Sequence, residues 1–231
     1  CKSLTVLFLY GLNMDEHHCR VLGTYSRPDL EIDLHGCNFT SAGIITLAEI
    51  LGRNQGPSKL DDCDIDYSVL ANGLRGNSRL KHFKHFFYNS SVSNREIVAI
   101  AGALRENKGL VKLELSFHHS SMNDETWGAM CASLTTRPKV EVLDLTHGEQ
   151  TMAPDVITSR TQALVEMIKV NTSIHTLRVN SCYRGHDIYR GSVIPYLETN
   201  LFRPRLLAIR KIRSIPYRAK VLGRAFVSAH N

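Results

Sequence analysis

The six cysteines have the widest chemistry of any side chains in this sequence, because a thiolate can attack a substrate or bind a metal ion. None of them stands in the C-x-x-C spacing of a structural zinc site. Cys37, Cys63 and Cys182 instead follow predicted strands, and Cys131 lies on the apolar face of a predicted helix. The sequence therefore predicts structural cysteines, with no metal site and no cofactor.

Histidines and aspartates form two further clusters that could do chemistry. His118 and His119 are adjacent, with His147 further along the chain, but no serine, cysteine or carboxylate joins them in a motif of nucleophile and base. The acidic run at 61–66 lacks the glycine and the distal glutamate of a calcium-binding loop. We therefore expect no catalytic residues and a protein that is not an enzyme.

Composition narrows the class of protein further. The chain has 231 residues, 43% of them hydrophobic, and no apolar run long enough to cross a membrane. Its net charge is +6, but residues 203–224 alone carry eight basic and no acidic side chains, so the rest sums to −2. That basic stretch has no interleaved aromatic residue beyond Tyr217, which argues against nucleic-acid binding, and no run of four basic residues, which argues against a nuclear signal. Sparse, scattered cysteines favour a reducing, cytoplasmic location.

A short apolar pattern recurs along the whole chain. The spacing L-x-x-L-x-L predicts strands whose last apolar residues are at positions 9, 34, 60, 85, 115, 145, 179 and 209, with steps of 25 to 34 residues. Between these strands the apolar spacing changes to about 3.6, which predicts amphipathic helices. The helical stripes are Ile44, Leu47, Ile50 and Leu51; Ile97, Ile100, Ala101 and Leu104; Trp127, Met130, Cys131 and Leu134; and Leu164, Met167 and Ile168.

The helix ends also follow a pattern. Asn77, Asn107 and Asn171 each stand three residues after an apolar residue and three before the first apolar residue of the next strand. Two helices are predicted to begin with capping boxes, at Ser93 to Glu96 and at Ser159 to Gln162. The stretch 146–159 is predicted to be a protruding loop.

These repeats resemble the leucine-rich repeats of the ribonuclease-inhibitor-like type, which also occur in the GTPase-activating protein of Ran. The resemblance implies one α/β domain over residues 1–231. Its fold would be a leucine-rich repeat solenoid, or horseshoe, of seven to eight repeats, with a concave parallel sheet and outer helices. It also implies that Cys37, Cys63 and Cys182 turn inward and bond the backbone of their turns. At the corresponding position, two other repeats have His118 and Gly148, which depart from the pattern. Because the chain begins inside a strand, we expect a fragment of a longer protein.

Side chains next to the inward leucines should point out of the concave face. They begin acidic, include aromatics in the middle and end basic. Whether Phe86 and Phe87 are exposed anchors or are packed under a distorted repeat stays open. The predicted partner-binding residues are Asp33, Asp61, Asp62, Phe86, Phe87, Glu114, Phe117, Asp144, Arg178 and Arg210.

This face predicts a non-catalytic interaction scaffold or recognition module, most simply a monomer, that binds another protein. Other functions remain possible. The resemblance to the Ran GTPase-activating protein would imply a regulator of a small GTPase. A sensing segment of a larger receptor, or an adaptor of a ligase complex, would show the same pattern of repeats.

Overall fold

A computed structural model describes residues 4–86, 93–117, 122–136, 140–147, 152–184 and 187–202. Strands and helices alternate along the chain, so the predicted α/β class is confirmed. The strands are β1 (Val6–Tyr10), β2 (Asn13–Met14), β3 (Glu31–His35), β4 (Asn38–Phe39), β5 (Lys59–Asp61), β6 (His82–Phe86), β7 (Lys112–Phe117), β8 (Val142–His147) and β9 (Thr176–Arg178). The helices are α1 (Glu16–Tyr25), α2 (Ser41–Gly52), α3 (Tyr67–Leu74), α4 (Asn94–Glu106), α5 (Asp124–Thr136), α6 (Pro154–Val170) and α7 (Ser181–Arg184). A last helical segment at 187–202 contains a π-helical turn at Tyr189–Val193.

Seven strands form one parallel sheet in chain order, β1-β3-β5-β6-β7-β8-β9. One apolar residue per strand aligns across it and points to the helices: Leu9, Leu34, Leu60, Phe83, Leu113, Leu143 and Leu177. The predicted alignment of Leu60 with His85 is therefore wrong by two residues, because Leu60 pairs with Phe83. His85 is buried in the following row, beside Leu115.

The helices cover one face of this sheet and form a single core with it. Every residue of the four predicted helical stripes is buried, so those predictions are confirmed. Helix α3 approaches α2 closely at Gly73, where a Cβ atom would lie 2.3 Å from the carbonyl oxygen of Ala48. Only glycine fits at that contact without a shift of the backbone.

Helix starts show one correct and one wrong prediction. Ser93 and Glu96 form the predicted capping box of α4. Ser159 caps nothing, because α6 begins five residues earlier, at Pro154. Proline has no amide hydrogen to leave unpaired and its φ is already helical, so it starts a helix well. Both ends of the predicted loop at 146–159 are wrong, because residues 146–147 belong to β8 and residues 154–159 belong to α6, while residues 148–151 lie outside the described part of the chain.

The three asparagines of the helix-end pattern link each unit to the one before it. The side-chain amides of Asn77, Asn107 and Asn171 donate to the carbonyl oxygens of Leu51, Leu74 and Leu134, at 2.5, 2.7 and 2.6 Å. These carbonyls lie in the last turns of α2, α3 and α5, beyond the regular hydrogen bonds of the helix, although those of Leu51 and Leu74 also accept the amides of Asn54 and Asn77.

The oxygen of each asparagine side chain accepts backbone amides of its own turn. Asn107 Oδ1, for example, accepts from Gly109 and Leu110, both at 2.9 Å. All three asparagines are buried. One side chain thus satisfies polar backbone groups of two successive units, far from water.

The weakest repeat replaces an apolar contact by hydrogen bonds. Ser58 precedes the three-residue strand β5 and occupies a leucine position. Its hydroxyl donates to the carbonyl of Ile32 at 3.1 Å and accepts the amide of Ile32 at 3.2 Å. The serine therefore ties β5 to β3 although it buries little apolar surface.

Cys37 and Cys63 occupy neighbouring turns, as the repeat pattern predicts. Cys37 Sγ lies 3.6 Å from the carbonyl oxygen of Leu9, and Cys63 Sγ lies 3.6 Å from that of Leu34. The contact with Cys37 and burial raise the pKa of the Cys63 thiol. Cys131 is buried in α5, and burial raises its pKa to about 12. Cys182 belongs to α7, but its side chain is not among those described, nor are His118 and Gly148.

We expect Asn107→Ala to lower the free energy of unfolding by about 1–3 kcal/mol, because it leaves the buried amides of Gly109 and Leu110 without partners and removes one of the two hydrogen bonds to the carbonyl of Leu74. Urea unfolding followed by circular dichroism measures the change. Asn72→Ala is the matched control, since Asn72 is exposed on α3. Equal stability of the two variants would show that the buried asparagine contributes nothing.

Candidate functional site

The strand side chains that point away from the helices form two rows, which we call the charged face. Strand alternation places them opposite the row of leucines. The first row contains Phe8, Asp33, Lys59, His82, Lys112, Val142 and Thr176. The second row contains Tyr10, His35, Asp61, Lys84, Glu114, Asp144 and Arg178.

Carboxylates and lysines alternate on the early strands of this face. Lys59 contacts Glu31 and lies 3.7 Å from Asp33. Lys84 Nζ lies 3.0 Å from an oxygen of Asp61 and 3.5 Å from one of Asp62. Asp62 follows β5 in a left-handed backbone conformation, with φ at 50°.

Contacts with carboxylates raise the pKa of both lysines. Burial would lower the pKa of Lys84, but its hydrogen bonds and charge interactions with Asp61 and Asp62 outweigh burial and raise it. The hydrogen bond to Glu31 likewise raises the pKa of Lys59. Both lysines stay charged throughout the physiological range, so their positions on the face carry fixed charge.

Glu114 is the centre of the later strands. Only 7% of its surface is exposed, and three basic side chains surround it. Lys112 Nζ lies 2.9 Å away, His82 Nε2 3.0 Å and Arg178 Nη1 3.7 Å. Burial alone would raise the pKa of Glu114, but the hydrogen bonds from Lys112 and His82 hold it below its usual value.

Asp144, in the same row as Glu114, behaves in the opposite way. Burial raises its pKa, although the amide of Thr146 donates to it at 3.2 Å and Arg178 lies 3.9 Å away. Arg178 stays 64% exposed while touching both acids. It is therefore a cation on this face that a binding partner can reach.

The structure brings most of the predicted partner-binding residues onto one surface. Asp33, Asp61, Glu114, Asp144 and Arg178 lie in the two rows, and Asp62 lies just beyond β5. The backbones of Phe86 and Phe117 belong to β6 and β7, opposite Ser116 and His147. The side chains of Phe86 and Phe117, and all of Phe87 and Arg210, lie outside the described part of the chain.

Sequence reasoning missed several members of the face, among them His82, Lys112, Phe8 and Tyr10. His82 and Lys112 were not predicted because Leu60 was aligned with His85 instead of Phe83. The residues assigned to outward positions therefore began two residues too late on these strands. Phe8 and Tyr10 flank Leu7 and Leu9 in the first repeat, so the same rule of alternation would have found them. They are 70% and 74% exposed, and the Tyr10 ring stacks on that of His35 at 5.0 Å.

Two further properties of the described residues concern metal binding and membrane spanning. Within those ranges, no three side chains of the metal-binding types are grouped so that they could hold a metal ion. No helix in the same part of the chain is both long and apolar enough to span a membrane.

Comparison with known proteins leaves the family open. No protein-family model matches the chain, and no curated protein matches its sequence. Among solved structures, the chain is similar to actin-binding site 2 of leiomodin-1. The match covers 72% of this chain and 94% of that one, with a TM-score of 0.51 and 17% sequence identity. At that identity the likeness concerns the fold alone.

We expect Glu114→Gln to change the pH dependence of stability in a defined direction. The folded-state pKa of Glu114 is lowered, so its stabilising contribution is present above the unfolded value of about 4.3 and is lost as pH falls through the folded pKa. The stability difference between the parent and the variant should therefore shrink on acidification. Denaturant unfolding at a series of pH values measures it.

Asp144→Asn is the control with the opposite sign. The raised pKa of Asp144 means that its ionised form opposes folding, so the variant should gain stability relative to the parent as pH rises through that pKa. A parallel response of the two variants would contradict the assignment of the three basic side chains to Glu114.

Proposed function

We propose that this chain is a leucine-rich repeat domain of the ribonuclease-inhibitor-like type and that it binds another protein through the charged face. The observation that carries the proposal is the arrangement of that face: no described helix covers it, and neighbouring side chains hold its charges in place. The alternation of strands and helices and the asparagine links between units support the repeat interpretation. The fold it shares with an actin-binding site supports it too.

The ion pairs prepare the face for binding. A free lysine or glutamate loses side-chain freedom when a partner immobilises it, at about 0.5–1.5 kcal/mol each. Lys84 and Glu114 are already fixed by their neighbours, so a partner that matches the pattern meets little of this cost. Fixed charges mainly determine orientation, choice of partner and association rate.

The proposed role is binding and not catalysis. Glu114, the most enclosed acid of the face, is held ionised by Lys112 and His82, which suits a fixed charge better than a group that must exchange protons. Cys63 and Cys131 have raised pKa values, which disfavour the reactive thiolate, whereas the hydrogen bond with Cys63 lowers the pKa of Cys37, whose side chain is buried. Glu114, Cys63 and Cys131 thus serve packing and charge placement.

The partner can be sought by affinity capture from a native extract followed by mass spectrometry. Actin filaments are a defined first probe, because the similar structure is an actin-binding site. Co-sedimentation with filaments tests them directly. The binding of each captured protein to the parent chain is then compared with its binding to the variants below. Only a protein whose binding changes with substitutions on the charged face supports the proposal.

We expect Arg178→Glu to slow association with the partner by about tenfold at low salt, because the variant reverses the exposed cation of the face. Stopped-flow or surface-based kinetics at several salt concentrations measure the rate. Lys169→Glu is the matched control, since Lys169 is an accessible cation on helix α6. If both reversals have the same effect, net charge and not the face determines binding.

Simultaneous replacement of Phe86, Phe87 and Phe117 by alanine tests the aromatic part of the predicted site. If these rings are anchors, capture of the partner should be lost while the thermal unfolding curve stays nearly unchanged. A large drop in the melting temperature would instead identify them as core residues, whose loss typically costs about 3–5 kcal/mol each.

A further inference from the structure

Cys37 and Cys63 lie side by side in the turns that follow β3 and β5. The two strands pair residue for residue, and the same register continues beyond them to the pair of Asn38 and Asp64. The amide of Asp64 also donates to the carbonyl of Cys37, at 2.9 Å. The two cysteines are therefore opposite each other in a parallel ladder, whose neighbouring chains are about 4.8 Å apart.

The sulfur atoms of this pair occupy equivalent positions in the two turns. Sγ of Cys37 lies 3.6 Å from the carbonyl oxygen of Leu9, and Sγ of Cys63 lies 3.6 Å from that of Leu34. A hydrogen bond joins the two sulfur atoms, and both cysteines are free thiols. A disulfide needs Cα atoms about 4.4–6.8 Å apart and side chains that turn towards each other. The ladder satisfies both conditions.

The two thiols differ in their protonation. The hydrogen bond with Cys63 lowers the pKa of Cys37, whereas the same bond and burial raise the pKa of Cys63. The thiolate is the form of cysteine that attacks an oxidant. An adjacent thiol can then resolve the oxidised sulfur as a disulfide. Cys37 is suited to the first of these roles and Cys63 to the second.

We propose that Cys37 and Cys63 are a redox-active pair, which hydrogen peroxide converts into a disulfide between the two turns. The sulfur of Cys37 attacks one peroxide oxygen, the O–O bond breaks, and hydroxide leaves and is protonated to water. Cys37 is then a sulfenic acid. The sulfur of Cys63 attacks it, so that the S–S bond forms, the S–O bond breaks, and the leaving hydroxide takes the proton of Cys63. The two thiols thus lose two electrons and two protons, and peroxide becomes two water molecules.

Burial determines the rate and the selectivity of this reaction. Both side chains are fully enclosed, so peroxide reaches them when the two turns open locally. Burial also raises the pKa of Cys19 and of Cys131 to about 12, which keeps these two thiols protonated. They belong to α1 and α5 and lie outside the ladder. We therefore expect a slow reaction that joins one pair of cysteines.

Oxidation of the parent chain tests the pair without any substitution. The reduced chain is treated with hydrogen peroxide at neutral pH, the remaining thiols are blocked with iodoacetamide, and the digest is analysed by mass spectrometry. The expected product is a pair of peptides linked through Cys37 and Cys63, which dithiothreitol separates again. In concentrated urea the same treatment should lose this selectivity, because the ladder that aligns the two residues is gone.

Three variants assign the roles of the two thiols. Cys63→Ala should stop the reaction at the sulfenic acid of Cys37, which dimedone traps. Cys37→Ala should slow the oxidation of Cys63 at least about tenfold, because the attacking thiolate is removed. Cys131→Ala is the matched control, since it removes an equally buried thiol from another unit and should leave the linkage and its rate unchanged. Circular dichroism shows whether each variant folds, and the experiment on the parent chain stands without them.

Several results would overturn the proposal. One is a folded parent chain in which Cys37 and Cys63 stay reduced after prolonged exposure to peroxide. Others are a disulfide from either residue to a different cysteine, or the same linkage formed equally well in urea. Arg178→Glu should form the disulfide like the parent, so failure of this pair and failure of the charged face as a binding site are distinguishable.

Discussion

The hydrogen bonds between an asparagine and the end of the preceding helix are the constraint on which the repeating structure depends. A helix that ends inside the protein leaves carbonyl groups without partners, and each costs free energy if nothing bonds it. Asn107 reaches back to Leu74 and at the same time closes its own turn through Gly109 and Leu110. In three of the units a single side chain thereby serves both stacking and chain reversal. Apolar contacts between leucine rows are not directional and would permit one unit to slide along the next. The asparagine hydrogen bonds are directional and fix the position of each of these helix ends relative to the following turn.

Much of the fold followed from the sequence because local pattern and tertiary environment agree. The helical stripes were predicted because period 3.6 matches burial against a sheet, and the capping box at Ser93 does begin α4. The register failed at one step, because His85 is buried in a row where apolar residues are usual and the preceding unit is short. Ser159 failed because a serine followed by a glutamine three residues later also occurs inside a helix, and Pro154 was the stronger start signal.

The sequence predicted several residues of the charged face but not the contacts between them. Alternation alone placed Asp33, Asp61 and Glu114 outward, since side chains two residues apart share a face. Which basic side chain contacts which acid depends on the register between strands, and a short stretch of sequence does not determine that register. The predicted gradient from acidic to basic is therefore replaced by alternating pairs, with three basic groups around Glu114. The charges of this face largely neutralise one another, and a few, such as that of Arg178, stay exposed.

Helices α1 to α6 pack successively, each against its neighbours in sequence, and the strands do the same. No described element ties the first unit to the last, so cooperativity must pass through every interface in turn. Under a pulling force applied at the two ends of the chain, such an array yields stepwise. Units peel away from the termini, each step lengthening the chain by roughly one strand and one helix. The molecule would then respond to tension as a graded extensible element and not as a single rigid body.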